Sequence, residues 1–339
     1  MFGPFRKGMG MREAAGLTRR RALALGGAAL ACPAVARGQT PMRLRIGHAL
    51  PSNHPVHAAM QFFADRLRER SGGAIETAIF ADGVIGQETD LLTQAQGGKL
   101  DFVKASASVM ERIGSAYRVF NLPFVFRDRA HARNVATNQV GERILASTQA
   151  AGLIGLTYYE AGSRSFYARK AIDHPDDLKG LKIRIQQSPI MNRLIQLFGA
   201  QAVAIPWDNV YSALQTRLVD GAENSVGALI VGRHGEVVTH YSFDEHTMVP
   251  DVFLVGAARW LSFSPTQQQL VREAARASYH HMNALWETFE TDMRAQSERM
   301  GVKFTYPDKA PFIARASVLK SEFAGDAEMT RLIGEIAGV

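Results

Sequence analysis

The chain has 339 residues, 46% hydrophobic and 21% charged, which is long and apolar enough for two lobes with their own cores. Its formal charge of +7 is concentrated at one end: residues 1–36 hold Arg6, Lys7, Arg12, Arg19, Arg20 and Arg21 against Glu13 alone. Removing those six bases and one acid from totals of 39 and 32 leaves 33 against 31, so the body is near neutral and does not point to a nucleic-acid partner.

The first element in chain order is an export signal. "TRRR" precedes the apolar run "ALALGGAALA" (22–31) and then "PAVA", with Ala34 and Ala36 in the small-residue positions of a cleavage site. The run is shorter than the about 20 residues that a membrane span needs. Arg19-Arg20 fits the twin-arginine route as well as an ordinary signal. Cleavage after Ala36 would remove Cys32, the sole cysteine, and with it disulfides, thiolate metal sites and a cysteine nucleophile. The expected location is the periplasm.

From Arg43 the pattern is α/β. "LRIGHAL" reads as a strand, "HPVHAAMQFFADRLRERSGG" as a helix with Val56, Ala59, Phe63 and Leu67 on one face, "AIETAIF" as a strand, "ETDLLTQAQGG" as a short helix and "LDFVKAS" as a strand. A second cycle starts near Gly152 with strands in "LIGLTYYE", "SFYAR" and "LKIRIQQ" and a helix in "IMNRLIQLFGA". It continues with a strand in "QAVAIP", a helix over "WDNVYSALQTRLVDG" with Asp208 as N-cap, and a strand in "DVFLVGAARW". Such alternation predicts mainly parallel sheets covered on both faces. After Ser264, with Pro265 and Gln267 in capping-box positions, nothing breaks the helical pattern until Gly301, a helix of ~54 Å that braces two domains.

Signatures of chemistry are mostly missing. No G-x-S-x-G elbow, HExxH, Walker loop or Rossmann fingerprint occurs, and His48, His54 and His57 lack a carboxylate at metal-site spacing. What remains suits holding an anion. In "DDLKGLKIRIQQSP" Leu181, Ile183 and Ile185 alternate with Lys182, Arg184 and Gln186. Arg184 is therefore either wet on a polar face or waiting in a cleft for an anion. Arg164 begins a strand, Trp207 stands at a helix N-terminus and Asn224 follows that helix. A guanidinium fork matches a carboxylate, an indole adds apolar area and one donor, and an amide fixes orientation.

The order of "GVIGQETDLLTQAQGGKLDF", "NLPFVF", "DDLKGLKIRIQQSP", "LFGAQAVAIPWDNVYSALQTRLVDGAENS", "DEHTMVP" and "WLSFSPTQQQ" resembles the substrate-binding proteins of tripartite ATP-independent periplasmic (TRAP) transporters, in the dicarboxylate-binding DctP family. The resemblance covers about 42–339. It implies an α/β, two-domain periplasmic binding protein, type II-like, with an interdomain cleft and a long bracing helix. The implied bounds are 42–161 plus 250–289 for domain I and 162–249 plus 290–339 for domain II. It also implies capture of a small organic acid by hinge closure and delivery to small and large permease subunits, with no enzyme activity, cofactor or metal.

By this resemblance Arg184 is the principal carboxylate-binding arginine, Arg164 a second arginine bridging the same carboxylate, Trp207 an aromatic contact and Asn224 a polar contact. Asn53, Glu88 and Ser106 fall in cleft-facing segments of domain I. Lys104 is expected either to meet a second group of the ligand or to point outward. Gln186, Ala222 and Ser225 depart from the family's usual Pro, Gln and Pro, so the ligand is expected to differ from a C4-dicarboxylate. The rival readings are a periplasmic enzyme acting on an organic acid and a ligand sensor for a signalling partner.

Overall fold

The computed structural model describes residues 40–339. The expected export signal, 1–36, lies outside the described residues. The alternating apolar segments form strands β1 (Met42–Gly47), β2 (Ile75–Phe80), β3 (Phe102–Ser106), β4 (Leu153–Tyr159), β5 (Ser163–Ala168) and β6 (Lys182–Ile185). Then come β7 (Gln201–Ala204), β8 (Gly221–Asn224), β9 (His240–Met248), β10 (Asp251–Gly256) and β11 (Lys303–Thr305). The helices are α1 (Pro55–Arg70), α2 (Glu88–Gln96), α3 (Ala107–Met110), α4 (Arg129–Thr137), α5 (Gln139–Ala146) and α6 (Pro189–Leu197). They continue as α7 (Val210–Gln215), α8 (Ala228–Val231), α9 (Ala257–Ser262), α10 (Pro265–Arg299), α11 (Ala310–Glu322) and α12 (Ala327–Ala337).

The strands assemble into two sheets, ordered β2-β1-β3-β10-β4 and β11-β9-β5-β8-β6-β7, so the molecule is α/β and two-lobed as expected. Paired strands run parallel except at β10 in the first sheet and β5 in the second. Those two strands enter straight from the other lobe: 160–162 links β4 to β5 and 249–250 links β9 to β10, with no crossover helix to reverse direction. The links therefore join the lobes where a hinge would bend. Gly162 in one link holds φ +73, and a Cβ there would stand 3.0 Å from the Trp286 indole and 3.2 Å from Ser225 Cβ.

The capping box forms on α10 as expected: Ser264 N–H donates to Gln267 Oε1 at 2.8 Å, and Gln267 N–H to Ser264 Oγ at 3.3 Å. The helix packs along α1 and β4 of the first lobe and reaches α8 of the second. Val271, Ala275, Met282 and Trp286 bury against Phe63, Phe102 and Phe253, joining helix and first sheet in one core. A second core around Tyr167, Val210, Leu214, Ala222 and Tyr241 stabilises the other lobe.

One expectation changes. The segment 207–221 is not one helix capped by Asp208: a 3-10 turn at Trp207–Asn209 leads into the short α7, whose Asn209 N-cap makes no side-chain bond. Asp208 instead points toward the first lobe, where it accepts from Gln87. Helix α12 packs on the 3-10 segment Ser115–Asn121 and on α5, tied by Arg118 to Asp326 at 2.7 Å, by Arg143 to Glu335 and by His131 Nε2 to the Ile336 carbonyl at 2.8 Å. Its apolar stripe of Met329, Leu332 and Ile336 finds its complement there.

Candidate functional site

Strand β6 shows why an arginine stands among apolar residues. Ile183 and Ile185 bury on one face of the sheet, and Arg184 on the other is only 2% exposed. Its polar face is therefore covered rather than wet. Nε and Nη2 both donate to the Ile205 carbonyl, at 2.9 and 2.7 Å, which locks the side chain. Nη1 is buried without a hydrogen-bond partner, and no carboxylate pairs with this guanidinium among the described residues. Burial pulls its pKa down to about 10, still far above neutrality, so the cation persists. A buried, locked cation with an unsatisfied nitrogen has the chemistry to receive an anion.

The cleft around it draws on both lobes. The second lobe supplies Arg164, Arg184, Gln186, Trp207 and Asn224; the first supplies Glu88, Lys104, Ser106, His54 and Asp251; α10 adds Trp286. Seven of the eight residues expected from sequence thus converge. Asn53 does not: it is exposed on the turn before α1 and outside the lining, because its neighbour His54 turns inward as the helix N-cap, accepting from Val56 N–H at 3.2 Å.

Arg164 is buried in the cleft lining, and its fork closes on Glu223, with Nε to Oε2 at 2.5 Å and Nη2 to Oε1 at 2.8 Å. The remaining nitrogen, Nη1, donates to Asn224 Oδ1 at 3.0 Å. The Arg164 charge is thus matched by Glu223, and its Nη1 also orients Asn224. Burial would raise Glu223, but Arg164 and His246 overcome it and hold the carboxyl down to about 2. His246 also donates to Asp244 at 2.7 Å, completing a buried cluster of two cations and two carboxylates.

Lys104 resolves in an unexpected way. It is 3% exposed and points into the cleft wall, so it is not an outward lysine. Yet its ammonium is taken by Glu88 Oε1 at 2.7 Å and Asp251 Oδ1 at 2.8 Å. Burial opposes the charge, but the two carboxylates outweigh it and raise the lysine above its ordinary value. Across the cleft Ser106 Oγ donates to Gln186 Oε1 at 3.2 Å, and at the mouth Gln87 Nε2 donates to Asp208. Both bonds join one lobe to the other.

Sequence reasoning missed His54, Asp251, Glu223 and Trp286. Asp251 carried a readable signal, an acid at the start of the apolar run "DVFLV", the same anomaly that marked Arg184. Trp286 carried none: on α10 it looks like any core aromatic, and only the structure shows its Nε1 buried, unpartnered and beside the cleft. Among the described residues no group of three or more His, Cys, Asp or Glu is arranged to hold a metal ion.

Comparison with known proteins adds a likeness at every level. The family model of bacterial extracellular solute-binding protein, family 7, matches residues 46–326. YiiZ of Salmonella typhimurium LT2 is 37% identical over 278 residues, covering 81% of this chain and 84% of its own. A TRAP periplasmic solute-binding protein of Xanthobacter autotrophicus Py2, solved with β-D-galacturonate, superposes with a TM-score of 0.85 at 36% identity, over 87% of this chain and 99% of that one. One from Anaerococcus prevotii, solved with D-glucuronate, gives 0.86 at 30% identity over 88% and 97%.

Proposed function

Since the chain belongs to bacterial extracellular solute-binding protein family 7 and captures a small organic acid for a TRAP-type transporter, we propose that its ligand is a hexuronate, a six-carbon sugar acid with one carboxylate and several hydroxyls. The observation that carries this reading is the free Nη1 of Arg184, the buried cleft cation that has no carboxylate partner among the described residues and that faces a wall of hydrogen-bond acceptors. Two solved relatives at 36% and 30% identity hold galacturonate and glucuronate. Support also comes from Gln186, whose amide adds polar reach to the cleft floor beside Ser106.

In this reading Arg184 binds the carboxylate, Asn224 and Trp207 orient the sugar, and Glu88, Ser106, Lys104 and Asp251 receive the hydroxyl-bearing end. Asn53 takes no part. Desolvation inside the closed cleft strengthens the pairing, and the ligand supplies the charge partner that the buried guanidinium lacks. The lobes bend at 160–162 and 249–250, between a first domain of 42–161 plus 250–289 and a second of 162–249 plus most of the remainder, with α12 moving as part of the first. The ligand favours closure only by its extra affinity for the closed form. A micromolar dissociation constant needs about −8 kcal/mol, within reach of one charge-assisted pair and several neutral bonds.

The ligand leaves chemically unchanged, and the closed protein presents itself to small and large membrane permease subunits. Residues 1–36 act as the export signal to the periplasm and are cleaved after Ala36. Calorimetry with D-galacturonate and D-glucuronate tests the central reading: micromolar or tighter binding of at least one is expected. Binding of C4-dicarboxylates alone would overturn it. Conversion of a bound uronate, followed by NMR, would favour an enzyme, and an intact mass of the exported protein checks the cleavage site.

A further inference from the structure

The cleft is electrically lopsided, and the asymmetry lies in pairs already described. On the second lobe the Arg164 charge is matched by Glu223, which leaves Arg184 as an unpaired cation among the described residues. On the first lobe one ammonium, Lys104, stands between two carboxylates, Glu88 and Asp251, and all three line the cleft. Among the described residues no other cation forms an ion pair with Glu88 or Asp251, and Arg164 acts on Asp251 only through space. His48 and His54 lie beside Lys104, and burial together with the lysine charge keeps both neutral, their pKa pulled down to about 3. The remaining lining of this lobe is neutral: Gln87, Thr89, Ser106 and apolar side chains.

We propose that Glu88 and Asp251, held apart by Lys104, form a charge filter that accepts the hydroxyls of a sugar monoacid and excludes any ligand carrying a second carboxylate at that end. The proposal rests on the hexuronate reading and deepens it, since it names what the site rejects. A carboxylate has only acceptor sites, so a hydroxyl donating to it makes a charge-assisted bond. A second ligand carboxylate offers no donor, and it meets like charge where little water screens it. Lys104 does not rescue that encounter, because its single charge already stands between two carboxylates, 2.7 Å from Glu88 and 2.8 Å from Asp251. Its role is to hold the two acids side by side: burial raises the Asp251 carboxyl and the Lys104 charge opposes that rise, and the ligand reads the acids.

The test is a matched comparison by calorimetry. D-galacturonate and D-glucuronate are titrated alongside galactarate and glucarate, and galactonate and gluconate serve as the open-chain monoacid controls for the two diacids. The filter predicts that each diacid binds at least about 100-fold more weakly than the monoacid of its own chain form. It further predicts that Glu88→Gln and Asp251→Asn each shrink that ratio by about 10-fold, mainly by improving the diacid. Lys104→Met, which leaves the acids unbalanced, should weaken the monoacid as well.

If a uronate binds and its diacid binds within about threefold, the filter is wrong while the hexuronate reading stands. If ratios in Glu88→Gln and Asp251→Asn match the wild type, the assignment to these residues falls. If succinate binds and no sugar acid does, the hexuronate reading fails first and the filter with it. Should either variant fail to fold, the wild-type ratio alone still decides whether a second carboxylate is excluded.

Discussion

Arg164 and Arg184 lie in one sheet with a single strand, β8, between theirs, yet one is clasped by a buried carboxylate and the other has none. Glu223 takes the fork of Arg164, and Ile205 offers Arg184 only a carbonyl. The same side chain is paired inside the protein in one place and, in the proposed reading, left free to hook a ligand in the other.

Removing the hook should separate binding from stability. In Arg184→Met we expect affinity for the ligand to fall at least 100-fold, near the worth of a hydrogen bond between charged groups plus lost orientation. The unliganded protein should melt no lower, and a gain of about 1 kcal/mol is expected, because an unpaired buried cation has been removed. Arg184→Lys keeps charge but loses the planar fork on Ile205, so at least a tenfold loss is expected there too. Calorimetry and thermal melting check both; unaltered affinity in the methionine variant would remove Arg184 from the site.

The paired arginine should behave in the opposite way. Glu223→Gln strands the Arg164 charge inside the protein and is expected to cost about 3–5 kcal/mol by urea unfolding. The double variant Arg164→Met with Glu223→Leu should recover most of that loss, since neither charge remains. A double variant as unstable as the single one would show that the pair is not what holds these strands.

Acid should loosen the fold through three histidines. His48, His54 and His234 are pulled from 6.5 down to about 3, by burial first and then by the charge of Lys104 for the first two and of Arg184 for the third. Folded, each stays neutral; unfolded, each takes up a proton below its ordinary value of 6.5. Their contribution is thus complete above pH 6.5 and drains away as pH falls toward 3, with a limiting slope of about 4 kcal/mol per pH unit for the three together. Unfolding measured at pH 7.5, 6 and 5 should follow that decline, and His234→Gln should remove about a third of the slope.

The bond across the mouth should govern escape. Gln87 on the first lobe donates to Asp208 on the second, over the rim of the closed cleft. An exposed hydrogen bond is worth about 0.5–1.5 kcal/mol, so Asp208→Ala should speed ligand release about 3- to 10-fold. The association rate should change little, because most affinity changes within one site appear in dissociation. Stopped-flow fluorescence from Trp207 or Trp286 can follow both rates; equal release rates would mean the contact is incidental to closure.

Local pattern alone determined a good deal about this protein. The period of apolar residues marked the strands and the 35-residue α10, whose capping residues sit within four positions of one another. It also marked Arg184 as an anomaly, because a charge inside a strict alternation is visible without coordinates. The order of the quoted segments carried the family and therefore the lobes. Tertiary structure decided the rest, for a physical reason: the behaviour of a buried charge depends on its partners, and these come from distant sequence. Glu223 lies 59 residues from Arg164, and Asp208 lies 121 from Gln87. Asp251, which meets Lys104, arrives on a strand that enters from the other lobe. Which cations were spent and which one was free could be read only once folding had brought those acids into place.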